Sequence, residues 1–255
     1  MTHQLHWQHR FSAASLVAAF AAALLLSGAA AEEPSDQVIA ARLAEFLRSA
    51  RTVISADLTL INDPNKGDKG LSGERVLAEA SAIYRKRTGE DPFAIDPASK
   101  EGRLLRVEMD AIKDVMAENQ GTINARNVGF KGFIPAIFAR LVSDKFREKA
   151  GEQALIKVTA PEELVRNRKS RPDDWEKAVL LGKFAEPGWP KGQAFAEAST
   201  VGGRAAYRYI VPEYYTASCL SCHGTPKGET DITGYPKEGG KEGDLGAAIS
   251  VTLFR

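Results

Sequence analysis

The spacing of hydrophobic residues changes part-way along this chain, and that change limits the fold more than any other feature of the sequence. In the first half, apolar residues recur every three or four positions, as they do from Ile39 to Ile61, which predicts amphipathic helices. After Gly151 the apolar segments are shorter and alternate or are rich in β-branched residues, which predicts strands. Helices followed by strands predict an α+β fold with an antiparallel sheet.

We predict one domain over residues 32–255, with a helical portion over residues 35–151 and a sheet-rich portion over residues 152–255. The predicted helices cover about residues 35–61, 74–88, 99–118 and 135–150, and a further short helix begins at Pro172. The third helix carries Met109 and Met116 on its apolar face and is expected to end at Gly121. The predicted strands cover residues 154–159, a hairpin of 195–200 and 204–211, and a central strand over 247–254.

Residues 1–31 have the pattern of a secretory signal peptide. A basic start is followed by an apolar run from Leu16 to Leu26, which is short for a membrane span, and by Ala29 and Ala31 at an A-x-A-like cleavage site. An uncleaved N-terminal anchor is the alternative. Cleavage after Ala31 predicts a periplasmic protein with no stable membrane span, and it removes three of the four histidines, namely His3, His6 and His9.

The charge balance disfavours a nucleic-acid partner. The chain of 255 residues has 34 Lys and Arg against 33 Asp and Glu, a formal net charge of +1, so no basic surface for a polyanion is implied. Hydrophobic residues make up 44% of the chain, which excludes disorder throughout. Because the mature chain keeps a single histidine, ordinary Ser-His-Asp hydrolase chemistry is also excluded.

Both cysteines of the chain lie in one pentapeptide, Cys219-Leu220-Ser221-Cys222-His223. This C-x-x-C-H spacing is typical of covalent attachment of haem c. Two thiols three residues apart can each add to one haem vinyl group, and the imidazole of the next residue then becomes the proximal iron ligand. Export agrees with this prediction, because c-type haem is attached outside the cytoplasm. We therefore predict one covalent haem, held by Cys219 and Cys222 with His223 on the iron.

Other uses of a C-x-x-C pair are a thioredoxin-like redox pair, half of a zinc site and a structural disulfide. No βαβ start precedes the pair, and the mature chain has no further cysteine or histidine to complete a zinc site. The same elimination leaves Met109 and Met116 as candidates for the sixth iron position, against lysine, tyrosine, an amide or water. Both methionines are also explained as core residues, and we expect a labile or open sixth position.

Three groups of residues near the motif have more than one interpretation. Four tyrosines either contact the haem and its propionates or pack the strands: Tyr207, Tyr209, Tyr214 and Tyr215. A basic cluster either neutralises propionates, docks a partner protein or forms a solvated loop: Arg166, Arg168, Lys169 and Arg171. The glycine-rich loop over residues 224–246 is expected to cover one haem edge, where the backbone must approach closely. Its Asp231 and Asp244 lack the order of a calcium-binding EF-hand.

Beyond these motifs, the chain resembles the exported single-haem c-type cytochrome domains with a PAS-like fold, a family of unknown function that also occurs as periplasmic haem sensor modules. The resemblance rests on ordered segments: Asn119 to Asn124, Phe130 to Ala136, Arg166-Asn167, Pro172 to Glu176, Cys219 to Gly224, Pro226 to Glu229 and Gly243 to Val251. It implies a PAS-like antiparallel sheet that holds the haem, with the N-terminal helices packed against it. The chain departs from the family pattern at Arg168 and Ser170, where many members have Pro and Asn. It also lacks the further cysteine that completes the iron coordination in some members.

Two functions of different classes follow from these observations. The first is electron transfer with a redox partner protein in the periplasm. The second is redox or gas sensing, in which the domain acts as a signal input for a separate signalling partner. A haem enzyme such as a peroxidase is disfavoured, because no distal histidine is available as the acid–base group over an open iron.

Overall fold

The computed structural model describes residues 35–255, and the predicted signal peptide lies outside them. Within this part the α+β prediction is confirmed, with helices first and a four-stranded antiparallel sheet after them. The helices are α1 (Asp36–Ala56), α2 (Leu58–Asn62), α3 (Gly73–Thr88), α4 (Lys100–Glu118), α5 (Gln120–Ile123), α6 (Pro135–Ala150), α7 (Asp174–Ala178) and α8 (Leu220–His223). The strands are β1 (Ala154–Thr159), β2 (Phe195–Val201), β3 (Arg204–Tyr214) and β4 (Leu245–Phe254).

Capping side chains set the ends of the long helices close to the predicted positions. The hydroxyls of Ser35, Ser72 and Ser99 accept hydrogen bonds from the first turns of α1, α3 and α4, which satisfies backbone N–H groups that have no partner inside the helix. The predicted extent of α4 is confirmed, but Gly121 lies inside α5 and does not end α4. The first helix, predicted as continuous over residues 35–61, is divided at Asp57 into α1 and α2. Asn119 caps the end of α4, where its backbone N–H and its side-chain amide both donate to the carbonyl of Val115, at 3.2 and 2.7 Å.

The sheet has the strand order β1-β4-β3-β2, so the strand predicted as central, β4, lies between two neighbours. The register pairs Ile156 with Val251 across β1 and β4, and Tyr209 with Val251 across β3 and β4. Strand β3 is longer than predicted and runs on to Tyr214. Because the C-x-x-C-H pentapeptide follows β3 after a few residues, the motif lies at the end of the longest strand pairing in the sheet, that of β3 with β4.

The two faces of the sheet pack against different layers. The main hydrophobic core joins α1, α3, α4 and α6 to one face, through side chains such as Tyr209, Val211 and Val251. A smaller cluster of Val179, Leu180, Ile210 and Ala248 covers the other face, with Trp175, Phe184 and Phe195 packed against it. Neighbouring residues of β3 face opposite sides, so Ile210 belongs to one layer and Tyr209 to the other. No helix of residues 35–255 is both long and apolar enough to span a bilayer.

Two of the segments that carry the family resemblance hold the loop between α2 and α3. Asn124 accepts a hydrogen bond from the backbone N–H of Lys69 at 3.0 Å, and Gln120 donates to the carbonyl of Leu71 at 2.8 Å. The Lys131 ammonium, which is mostly buried, donates to the carbonyl of Asp63 at 3.0 Å. The segments Asn119 to Asn124 and Phe130 to Ala136 therefore fix an irregular loop within the helical layer.

Glu108 of α4 is a buried acid inside this helical layer. Its side chain is inaccessible to solvent, and neither carboxylate oxygen has a hydrogen-bond partner among the described residues. Burial raises the pKa of Glu108 well above its ordinary value of 4.5, because a low-dielectric interior disfavours the charged form. The folded protein therefore keeps this carboxyl protonated over a pH range in which the unfolded chain ionises it.

We expect Glu108→Gln to stabilise the protein increasingly as the pH rises. The folded pKa lies above the unfolded pKa, so the wild type loses stability as the pH increases from the unfolded value towards the folded one. Over that window the free energy of unfolding of the variant should gain about 1.4 kcal/mol per pH unit relative to the wild type. Urea unfolding at several pH values between about 5 and about 8 measures this difference.

Glu118→Gln, at the exposed end of the same helix, is the matched control and should show no such slope. A Glu108→Gln difference that stays constant with pH would contradict the assignment of a neutral buried carboxyl.

Candidate functional site

The C-x-x-C-H pentapeptide forms a short helical segment after β3. A single 3₁₀ turn over Ala217–Cys219 leads directly into α8, which ends at His223. Positions three apart on a helix lie on the same face. Cys219 and Cys222 are therefore presented on one side of this turn, with His223 as the next residue.

Both thiols are free and partly buried. Burial raises the pKa of Cys222, because a partly buried site disfavours the charged thiolate. Within residues 35–255, no three or more His, Cys, Asp or Glu side chains are grouped so that they could hold a metal ion. The lack of such a group disfavours the zinc alternative, and the structure contains no disulfide between the two cysteines.

The imidazole of His223 is held by a carboxylate. Its Nδ1 lies 2.9 Å from Oε2 of Glu238. Burial alone would raise the pKa of Glu238, but hydrogen bonds from Arg166 and His223 outweigh it and lower that pKa. An ionised carboxylate can only accept hydrogen bonds, so Nδ1 carries the proton and donates it to Glu238. In the neutral imidazole the lone pair then lies on Nε2, where it can bind a metal, which is the arrangement found around metal-ligating histidines.

Arg166 connects this carboxylate to the pentapeptide. Its Nε and Nη2 donate to the two oxygens of Glu238 at 2.8 and 3.1 Å, and its Nη1 donates to Oδ2 of Asp231 at 2.6 Å. The same Nη2 donates to the backbone carbonyl of Cys222 at 2.9 Å. All the N–H groups named above therefore donate to groups inside the domain. This differs from the three roles considered from the sequence, namely neutralising propionates, docking a partner protein and lying in a solvated loop.

The rest of the basic cluster is exposed. Arg168 and Lys169 lie in a 3₁₀ turn over Arg168–Ser170, and Arg171 follows it. The ammonium of Lys169 forms an ion pair with Asp144 of α6 at 2.9 Å. The solvated-loop interpretation describes these three residues, and Arg166 is the member of the cluster that reaches the site.

The glycine-rich loop wraps the end of α8. The backbone N–H of Gly240 donates to the carbonyl of His223 at 2.8 Å. A Cβ atom placed at Gly240 or Gly246 would lie 2.5 or 2.3 Å from the ring of Tyr215. The backbone of this loop therefore approaches Tyr215 and His223 closely, while the predicted cover over a haem edge stays a prediction.

Tyr215 is the tyrosine that adjoins the pentapeptide. Its ring stacks on the imidazole of His223, with centroids 5.1 Å apart and an interplanar angle of 19°. Burial raises the pKa of Tyr215 to about 12, and its hydroxyl is buried with no hydrogen-bond partner among the described residues. An unpaired buried hydroxyl beside His223 fits a site that receives a further polar group, such as a haem propionate.

The other three tyrosines serve the strands and a neighbouring loop. Tyr209 belongs to the main core, and Tyr207 is packed against that core. The hydroxyl of Tyr214 accepts a hydrogen bond from Gly192, and the ammonium of Lys191 lies 4.6 Å from the centroid of its ring. Strand and loop packing therefore accounts for these three positions.

The structure places both methionine candidates in the helical core. Met109 and Met116 of α4 are 4% and 0% exposed and belong to the main hydrophobic cluster. That cluster includes no residue of 219–223, and α4 packs chiefly on α1, α3 and α6. The side chains of Met109 and Met116 thus have the surroundings of core residues.

Helix α1 supports the strand that leads into the site. Arg48 and Arg51 each form an ion pair at 2.5 Å with Glu213 near the end of β3. Further along the helix, the hydroxyl of Ser55 lies 3.4 Å from that of Ser218, just before the pentapeptide. The helical portion therefore contacts the site directly.

A comparison with family models gives one match. The model described as Tll0287-like covers residues 87–253, well over half of the chain. The chain belongs to this family. Its members are single-haem cytochrome domains of unknown function, which confirms the resemblance. Comparison with curated proteins finds no match, and comparison with solved structures finds none.

The Tll0287-like match includes the pentapeptide and also Arg166 and Glu238, although sequence reasoning missed Glu238. This residue follows His223 by 15 positions, in a segment with several other acids, and no spacing rule distinguishes it. The available signal was indirect, because a ligand histidine commonly donates its second ring N–H to a carboxylate.

We expect Arg166→Gln to lower the free energy of unfolding by about 3 kcal/mol. The substitution leaves the side chain of Asp231, which is fully buried, without its charged partner. Urea unfolding followed by tryptophan fluorescence measures the loss. Lys177→Gln removes an exposed ion pair with Glu162 and should cost no more than about 1 kcal/mol. Equal losses for the two variants would show that Arg166 is an ordinary surface residue.

Proposed function

We propose that this chain is a periplasmic single-haem c-type cytochrome that exchanges electrons with a redox partner protein. The observation that carries the proposal is the state of His223. Its Nδ1–H is donated to Glu238, which leaves Nε2 as the metal-binding nitrogen of the residue that follows two free thiols on one helical turn. Membership of a family of single-haem cytochrome domains supports the same conclusion.

The residues of the pentapeptide have separate roles in this proposal. Cys219 and Cys222 each add an S–H group across a vinyl double bond, so that an S–C bond forms and the hydrogen passes to the adjacent carbon without an oxidant. His223 holds the iron through Nε2. When bound, the haem supplies one-electron exchange between ferrous and ferric iron. Tyr215 and Glu238 hold the imidazole in place by stacking and hydrogen bonding.

A second candidate function is redox or gas sensing through a separate signalling partner. It is favoured by the burial of Met109 and Met116 in the helical core. If neither thioether binds the iron, the sixth position is left to lysine, tyrosine, an amide or water, and water would make it an exchangeable position. Such a position can accept a small gas, which a tightly bound methionine would exclude.

The first test is covalent haem attachment. The protein produced with periplasmic cytochrome maturation should have the mass of the chain from Glu32 plus one haem, and the haem should resist acid–acetone extraction. Cys219→Ala combined with Cys222→Ala should abolish attachment, because no thiol remains. Ser221→Ala, inside the same pentapeptide, is the matched control and should keep the haem.

A double cysteine variant that retains covalent haem would refute the assignment. N-terminal sequencing separately tests cleavage after Ala31, and a retained Met1 would show an anchor in place of a signal peptide. His223→Ala should alter the visible spectrum, since the imidazole would be lost from the iron.

The second test concerns the sixth iron position. Met109→Leu and Met116→Leu keep the volume of the core nearly constant, so we expect visible spectra identical to the wild type. The ferrous wild type should bind carbon monoxide, as measured by the change in its visible spectrum. A ferric spectrum that changes in one methionine variant, with no carbon monoxide binding in the wild type, would show methionine ligation and favour a simple electron carrier.

A further inference from the structure

The carboxylate of Glu238, which accepts the Nδ1–H of His223, is held by several hydrogen bonds. Oε2 of Glu238 lies 2.9 Å from Nδ1, while Arg166 donates to both carboxylate oxygens at 2.8 and 3.1 Å. The Glu238 side chain is only 16% exposed. The carboxylate therefore has little freedom to rotate away from the imidazole.

Arg166 is itself fixed on its far side. Its Nη1 donates to Asp231, whose side chain is fully buried and whose Oδ1 accepts from the backbone and hydroxyl of Thr233 at 2.7 and 2.6 Å. Its Nη2 also donates to the carbonyl of Cys222, next to the histidine. Both ends of this chain of contacts, Asp231 and His223, are thus anchored within the domain.

A negatively charged hydrogen-bond acceptor at Nδ1 changes the strength with which Nε2 of His223 donates electrons to a metal. A carboxylate hydrogen-bonded to one ring nitrogen raises the basicity of the other nitrogen towards a metal. A more basic ligand stabilises the more highly charged oxidation state of a metal more than the less charged one. On His223, this favours ferric over ferrous iron and lowers the reduction potential.

We propose that Glu238, oriented by Arg166, is a positioning residue that sets the donor strength of His223 and holds the haem at a lower reduction potential than a neutral acceptor would. The inference rests on the proposed function, because it requires haem on His223. It adds a role for the glycine-rich loop, which supplies both Glu238 and Asp231.

Glu238→Gln tests the role of the charge. Glutamine keeps the length of the side chain and an oxygen acceptor but removes the negative charge. We expect the midpoint potential of the haem-loaded variant to become more positive, corresponding to about a tenfold change in the equilibrium constant for reduction, or about 59 mV for one electron. Glu238→Asp keeps the charge with a shorter reach and should give a smaller shift in the same direction.

Glu229→Gln is the matched control. Glu229 lies in the same loop, is half exposed and pairs with Lys237, so its substitution removes one negative charge without touching His223. Its midpoint potential should remain close to that of the wild type. Equal shifts for Glu229→Gln and Glu238→Gln would show a general effect of loop charge and overturn the proposal.

A second measurement reads the hydrogen bond directly in the wild type. His223 is the one histidine that remains after cleavage at Ala31, so ¹⁵N-labelled histidine gives an unambiguous ring signal in the haem-loaded protein. We expect a proton on Nδ1 that exchanges slowly with water. Rapid exchange, or absence of a proton on Nδ1, would overturn the proposal even if no Glu238 variant folds.

The two proposals fail in different ways. Absence of covalent haem in the wild type would refute the proposed function. Normal haem attachment together with an unchanged potential in Glu238→Gln would refute only the role of Glu238.

Discussion

The guanidinium of Arg166 lies between two acidic side chains and a main-chain carbonyl, and the arrangement around His223 depends on it. Arg166 binds Glu238 through two N–H groups and Asp231 through a third. A planar guanidinium suits such a bidentate contact with a carboxylate, whereas a lysine would act as a single point charge. Without Arg166, the glycine-rich loop would lose the ion pairs of Glu238 and Asp231 that hold it against the end of α8.

The sheet and the helices place this loop and the pentapeptide together. Strand β3 carries the chain to Tyr214, and β4 begins at Leu245, so the pentapeptide and the loop form the connection between two hydrogen-bonded neighbours. The ion pairs of Arg48 and Arg51 with Glu213 secure the same end of β3 to α1. A site built on such a connection is held by both the sheet and the helical layer. Such support suits a site that must keep the imidazole of His223 in a fixed orientation.

The burial of Met109 and Met116 bears on which function the domain performs. A carrier with two strong axial ligands changes little when its iron changes charge, whereas a domain with an exchangeable sixth ligand can respond to small molecules. The electron-transfer and sensing functions share the proximal side of the site. The two proposed functions differ in the ligand that would occupy the sixth position of the iron. Both methionines belong to the hydrophobic core of the helices, and that core contains no residue of the pentapeptide.

Local features of the sequence were sufficient for much of the fold. Serine caps and apolar periodicity predicted the long helices, and β-branched alternation predicted the strands, because these signals act over a few neighbouring residues. The spacing of Cys219, Cys222 and His223 is equally local, since one helical turn sets it. The extent of α4 was predicted correctly, but its end was assigned to Gly121, which lies inside α5, whereas the residue that caps α4 is Asn119.

Only the tertiary structure could decide the surroundings of His223. Glu238 is 15 residues and Arg166 is more than 50 residues away along the chain, and many acids and bases in the sequence could have formed the same kinds of contact. Their pairing depends on how the loop folds back over α8, where Gly240 and Gly246 allow the backbone to reach the ring of Tyr215. The sequence by itself predicted which residues would hold a haem, because the residues of that chemistry lie in one pentapeptide. The fold determined what holds those residues, because long-range ion pairs depend on distances that no local pattern specifies.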